Sequence, residues 1–222
     1  MERIEGKLQE VIKTGRDMLL TGLVLGTWGN ISIRIPSLKG FFITPSGIPY
    51  TDLRPQDLVF VDDTGKKGEG KLRPSTETPL HAAIYQARRD VQGIIHTHGT
   101  FSSVFAVNRV EIPPVLDEVA QIIGGSIRVA PYALPGTGEL AGAAVSALGE
   151  RAAVLLANHG LVGVGGSLRD ALLVCQVAEK AAQVYLWAKL SGMPHILAEA
   201  EVKRLRENFL TSYGQQPGGE DS

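Results

Sequence analysis

The chain has 222 residues, 44% of them hydrophobic and 20% charged, and a formal net charge of -1. That length suits one α/β domain with a continuous core, and the composition is that of an ordinary globular protein, which excludes disorder outside the termini. No Lys/Arg block exceeds two or three residues; Lys66-Lys67 and Arg88-Arg89 read as solvated, so the basic stripe that a nucleic-acid partner requires is missing.

The first twenty residues carry charges throughout and lack the apolar centre and cleavage site of a signal peptide. No run approaches eighteen apolar residues, so no membrane span is expected. A single cysteine, Cys175, excludes an internal disulfide and fits a reducing compartment; the expected location is cytoplasmic. Its apolar helical surroundings, ALLVCQVAEKAA, predict a buried, inert thiol.

In chain order, apolar spacing predicts a helix over 4–25, broken by Gly26, Gly29 and Asn30. Residues 30–35 alternate polar and apolar, as in a half-buried strand, with 41–44 as its partner and 58–61 as a third strand. A helix over 77–89 follows the capping residues Pro74-Ser75-Thr76. Strands are predicted over 93–98, 127–130, 152–157 and 161–164, and helices over 138–149, 167–191 and 198–211. Short turns between neighbouring strands point to an α/β fold of one domain, a three-layer α-β-α arrangement with a central, largely antiparallel sheet. The domain is expected over 1–214, with a Gly-, Pro- and acid-rich flexible tail at 215–222. Neither a dinucleotide fingerprint nor a Walker-type loop is present.

Five histidines offer chemistry. His96-Thr97-His98 closes an apolar strand, and residues i and i+2 project from one face, so both imidazoles can reach one cation. His159, in Asn158-His159-Gly160 after another apolar strand, is the best third ligand. Three protein ligands leave a coordination position open for substrate, as in catalytic zinc sites; the competing reading is that one histidine merely caps a strand. His81 lies four residues after Glu77 on one helix face and is read as hydrogen-bonded structure rather than a ligand, and His195 as a surface residue. Glu77, at a helix start, is open to two readings: complement to the helix dipole, or general acid/base beside the metal.

GTWGNIS, ITPSGIPY, RPSTETPLH, IHTHGTFSS and ANHGLVGVG, in that order, resemble the class II aldolase/adducin family over nearly the whole length, and within it the L-fuculose-1-phosphate aldolase branch. The resemblance implies Zn2+ or another divalent metal on His96, His98 and His159, with Glu77 as catalytic acid/base and possible additional ligand. It implies substrate phosphate at Gly29, Asn30, Ser46, Gly47, Ser75 and Thr76, positions whose N–H groups, amide and hydroxyls suit an anion. It also implies a catalytic role for Tyr213, a homotetramer with sites between subunits, and retro-aldol cleavage of a sugar phosphate. The chain departs from that branch at Asp117 and Pro135, in regions shaping the aldehyde end, so aldolases of 5-deoxypentulose or methylthioribulose 1-phosphate fit equally, and a family dehydratase is a further rival. A 4-epimerase carries aspartate at the position of Glu77. A non-catalytic adducin-like interaction module has no need of the three histidines and Glu77. Lys71 and Lys180 lie in polar or amphipathic stretches, which speaks against a Schiff-base mechanism.

Overall fold

The computed structural model describes residues 2–212. The strands are β1 (Asn30–Ile35), β2 (Gly40–Ile43), β3 (Val59–Asp62), β4 (Gly93–Thr97), β5 (Arg128–Ala130), β6 (Ala153–Leu156) and β7 (Gly160–Gly165). The helices are α1 (Glu2–Leu20), α2 (Thr78–Ala87), α3 (Thr100–Asn108), α4 (Gly138–Leu148), α5 (Leu168–Ser191) and α6 (Glu199–Ser212). The strands form one sheet in the order β3-β2-β1-β4-β7-β6-β5. Every neighbouring pair is antiparallel except β5 and β6. This is the single-domain, three-layer fold expected.

Both sheet faces are covered, and the central strands show it residue by residue. In β4, Ile94 packs with Leu80 and Ile84 of α2 and Leu140 of α4, while Ile95 joins Val11 of α1, Phe105 of α3 and Ala178 of α5. Burying each such isoleucine contributes about 2 kcal/mol. A strand buried on both sides reads as an unbroken apolar run, which explains why 93–95 and 153–156 carry no polar alternation. β1 corrects the half-buried expectation: all six of its residues are buried. Its polar set, Asn30, Ser32 and Arg34, faces α2 rather than solvent.

Three further features differ from expectation. α1 stops at Leu20 because Thr21-Gly22 closes it: Gly22 takes φ +70, its N–H donates to Leu19 O, and Leu23 N–H reaches back to Met18 O. α3 is a helix that apolar periodicity alone did not mark. Glu179, on α5, holds its first turn, accepting from Phe101 N–H at 2.6 Å and Ser102 N–H at 2.9 Å. Residues 119–123 form a single π-turn ended by Gly124 at φ +86. Cys175 is buried as expected, and burial pushes its thiol pKa up to about 12. Among the described residues no helix is long and apolar enough to cross a membrane. The 215–222 tail lies outside the described residues.

Candidate metal centre and substrate cavity

β4 delivers His96 fully buried. Its Nδ1–H donates to Leu161 O of β7 at 3.0 Å, which fixes the tautomer and leaves a lone pair on Nε2. His98, one residue past the strand end, is tied by its backbone N–H to Leu23 O at 3.0 Å, so the turn that ends α1 also positions this ring. Its Nε2 stands 2.8 Å from His96 Nε2. His159 arrives from the loop joining β6 to β7. There Asn158 adopts φ +56, its Oδ1 accepting from Arg109 at 3.2 Å, and His159 N–H closes a turn on Leu156 O at 3.0 Å. His159 Nε2 lies 3.3 Å from His96 Nε2. One ligand nitrogen from each ring falls within 4.8 Å of the others.

The donor set fits a divalent cation. Burial, reinforced by the His159 and His98 rings, holds His96 well below the ordinary imidazole pKa. Burial and then His159 lower His98 too, against a smaller opposing pull from Glu77. His96 is held neutral with its Nε2 lone pair toward the other two ring nitrogens, and three imidazoles are a common zinc set.

Glu77 is the N-cap of α2, yet its side chain makes no capping bond. Only 4% exposed, the carboxylate instead points Oε2 to within 3.0 Å of His96 Nε2 and Oε1 to within 3.5 Å of His159 Nε2. Oε2 accepts from Asn30 Nδ2 at 2.9 Å, while Oε1 is buried without a hydrogen-bond partner. A buried carboxylate oxygen left unpaired is costly, and the three histidines are where a cation would relieve it. The dipole reading does not account for this geometry.

A cavity of about 250 Å³ opens on this cluster, lined by all six positions assigned to phosphate: Gly29, Asn30, Ser46, Gly47, Ser75 and Thr76, together with Glu77, His98 and His159. Two backbone bonds, Ser46 N–H to Arg73 O and Ser75 N–H to Thr44 O, clamp the 44–47 and 73–77 segments side by side. Gly29 sits at φ +78, and a Cβ there would lie 2.5 Å from His96 O, so glycine alone permits this approach of backbone to the centre. The Asn30 amide already serves Glu77 and His81, leaving one Nδ2 hydrogen for a ligand.

Pro135 lines the cavity, whereas Asp117 is exposed and is not among its lining residues. Trp28, not singled out from the sequence although it stands inside TWGN, forms a wall: its ring centroid is 5.7 Å from that of His98, and it is 66% exposed. His81 is fully buried and hydrogen-bonded, and His195 is exposed, as expected. Neither Lys71 nor Lys180 lines the cavity; Lys180 pairs with Glu118. Tyr213 lies outside the described residues.

The class II aldolase and adducin N-terminal domain profile matches residues 9–186. The chain is 36% identical to 5-deoxy-D-ribulose 1-phosphate aldolase of Bacillus thuringiensis serovar kurstaki, over 96% of this chain and 99% of that protein. It is 39% identical to the 5-methylthioribulose-1-phosphate/5-deoxyribulose-1-phosphate aldolase of Rhodospirillum rubrum, over 92% of this chain and 90% of the relative. A solved L-fuculose 1-phosphate aldolase superimposes with a TM-score of 0.89 at 38% identity, covering 92% of this chain and 96% of that one. On the profile match, these identities and the shared fold, the chain belongs to the class II aldolase and adducin family.

Proposed function

We propose that the protein cleaves a ketose 1-phosphate reversibly into dihydroxyacetone phosphate and an aldehyde. The observation that carries this reading is Glu77 Oε1, buried without a hydrogen-bond partner beside three converging imidazoles at one end of a cavity whose other walls offer hydroxyls and backbone N–H groups. Relatives named for 5-deoxyribulose 1-phosphate, methylthioribulose 1-phosphate and fuculose 1-phosphate act on sugars that share the phosphorylated ketose head.

His96, His98 and His159 would hold Zn2+ or another divalent ion, with Glu77 as a further ligand when substrate is absent; such an ion supplies Lewis acidity at the substrate carbonyl and the neighbouring hydroxyl. The chain's own groups do the rest. Gly29, Asn30, Ser46, Gly47, Ser75 and Thr76 bind the phosphate and set the carbonyl carbon in register with Glu77. Glu77 returns a proton to the carbon freed by C3–C4 cleavage, or removes it in the synthetic direction. Tyr213 serves the proton of the C4 oxygen. Trp28 and Pro135 make an apolar wall, which favours aldehydes with an apolar end, such as those from 5-deoxypentulose 1-phosphates.

The domain is taken as 1–214, working in the cytoplasm as a homotetramer with sites between subunits. Support for a covering subunit comes from Leu20, Leu25 and Trp28, exposed on the segment that leads into the cavity. Incubating metal-loaded protein with dihydroxyacetone phosphate and a panel of aldehydes tests the reading. Ketose 1-phosphate adducts are expected, and none after chelation; a loaded protein that forms no adduct with any aldehyde contradicts it.

A further inference from the structure

The polar stripe of β1 meets a polar stripe of α2 at matched spacing. Alternate strand residues advance about 6.6 Å and every fourth helical residue about 6 Å, so Asn30, Ser32 and Arg34 lie against Glu77, His81 and Tyr85. Ser32 Oγ is 2.7 Å from His81 Nδ1 and 2.9 Å from Tyr85 OH. His81 Nε2 is 2.5 Å from Asn30 Oδ1, and Asn30 Nδ2 is 2.9 Å from Glu77 Oε2. The Arg34 guanidinium stacks 4.6 Å above the Tyr85 ring and donates to its backbone carbonyl, fixing the far end. The metal-site proposal uses only Glu77 and, for phosphate, Asn30; the remaining buried polar groups have no role in it.

The donor order along this chain is forced. The Asn30 NH2 group donates to Glu77 Oε2, so its Oδ1 faces His81 and can only accept. Nε2 of His81 must then carry the proton, and in a neutral imidazole Nδ1 accepts from the Ser32 hydroxyl. Ser32 oxygen is free in turn to accept from Tyr85. Complete burial keeps the His81 ring neutral, driving its pKa down to about 3. From Ser32 inward every donor therefore points toward Glu77, while the Tyr85 hydroxyl lies between Ser32 Oγ and Gln92 O, and the amide cannot rotate without placing its oxygen against the carboxylate.

We propose that His81, backed by Ser32 and Tyr85, is a positioning residue that locks the Asn30 amide so that Glu77 Oε2 is held and Oε1 is the oxygen that handles the proton. The inference rests on the lyase reading for its consequence but not for its geometry. Apart from its helical N–H bond to Glu77 O, His81 is not among the residues lining the cavity or forming the histidine cluster; its ring acts through Asn30.

Two measurements on the full-length protein test it. Nitrogen-15 NMR of the histidine rings is expected to show His81 as the Nε2–H tautomer; an Nδ1–H tautomer overturns the hydrogen-bond order. In steady-state kinetics of the metal-loaded protein, His81→Phe should lower kcat about 10- to 100-fold with KM and bound metal unchanged. His81→Gln, whose amide offers a donor where Nε2 stood, should restore most of that loss. In a Glu77→Gln background His81→Phe should cost nothing further, because the residue acts through that carboxylate. An equal loss in both backgrounds, or full activity of His81→Phe in a protein that Glu77→Gln cripples, overturns the inference and leaves the lyase reading standing. If His81→Phe does not fold, Ser32→Ala and Tyr85→Phe make the same kcat test at the outer links, and undiminished kcat in both overturns it. A wild-type protein without lyase activity would remove the functional reading separately, and the tautomer would still decide the order of the hydrogen bonds.

Discussion

Glu77 Oε2 stands 3.0 Å from His96 Nε2 although the two residues come from different elements, the start of α2 and the end of β4. A carboxylate held by this oxygen against a ring nitrogen is in place to share a cation, with Oε1 left to handle a proton. Glu77→Gln keeps the size of the side chain and an oxygen for the Asn30 amide. It is expected to fold and retain metal while turnover falls by about 10² or more, as for a lost acid/base. Single-turnover kinetics with metal analysis checks this; unchanged turnover rejects the assignment.

His98→Ala should empty the centre without unfolding the chain. His98 is only partly buried, beyond the strand end, whereas His96 is fully enclosed and bonded to Leu161 O. Loss of a direct ligand should weaken metal binding by more than about 100-fold, exceeding the usual effect of outer partners, while the far-ultraviolet circular dichroism stays that of the wild type. Normal metal occupancy would remove His98 from the ligand set.

Gly160→Ala should damage the same centre from behind. A Cβ on residue 160 would lie 2.3 Å from Thr97 O and 3.1 Å from ring carbons of both His96 and His98. β7 must then move from β4, at a cost of about 2 kcal/mol, and the two rings with it. A lowered denaturation midpoint together with weaker metal binding is expected; a wild-type midpoint would show that the contact relaxes freely.

Acid should destabilise the metal-free protein through His81. Its pKa falls from about 6.5 to about 3 on folding, chiefly through burial. Between those values the unfolded chain carries a proton on residue 81 that the folded chain does not, so stability declines as pH falls. The decline amounts to about 1 kcal/mol per pH unit, complete only below about 3. His96 adds to it with the same sign. Denaturant unfolding at pH 7 and pH 5 should show a smaller loss for His81→Gln than for the wild type; equal losses would contradict the buried neutral ring.

The parts of this protein that obey a local rule were legible. His96 and His98 share a face because strand residues alternate, and the element spans follow from periodicity with small errors at their ends. What escaped depends on distant partners. Phe101 and Ser102 begin a helix because Glu179, 78 and 77 residues away, accepts from their N–H groups. Asn30 and Ser32 look like the wet side of a strand until His81 and Tyr85 are brought against them from 51 and 53 residues away. The end of α1 was readable in Thr21-Gly22 but was outweighed by the apolar residues that follow. Convergence of His159 on His96, 63 residues apart, follows from no spacing rule; the order of five motifs implied it, and the β6–β7 loop accomplishes it.

The most direct test of the central claim follows hydrogen exchange in dihydroxyacetone phosphate alone. In heavy water, metal-loaded wild-type protein should replace one hydrogen on the hydroxymethyl carbon, detected by proton NMR, and exchange should vanish after chelation and fall at least about 10²-fold in Glu77→Gln. Exchange that persists at the wild-type rate without metal or without the Glu77 carboxylate, or no exchange in the loaded wild type, would contradict a lyase built on these three histidines and Glu77.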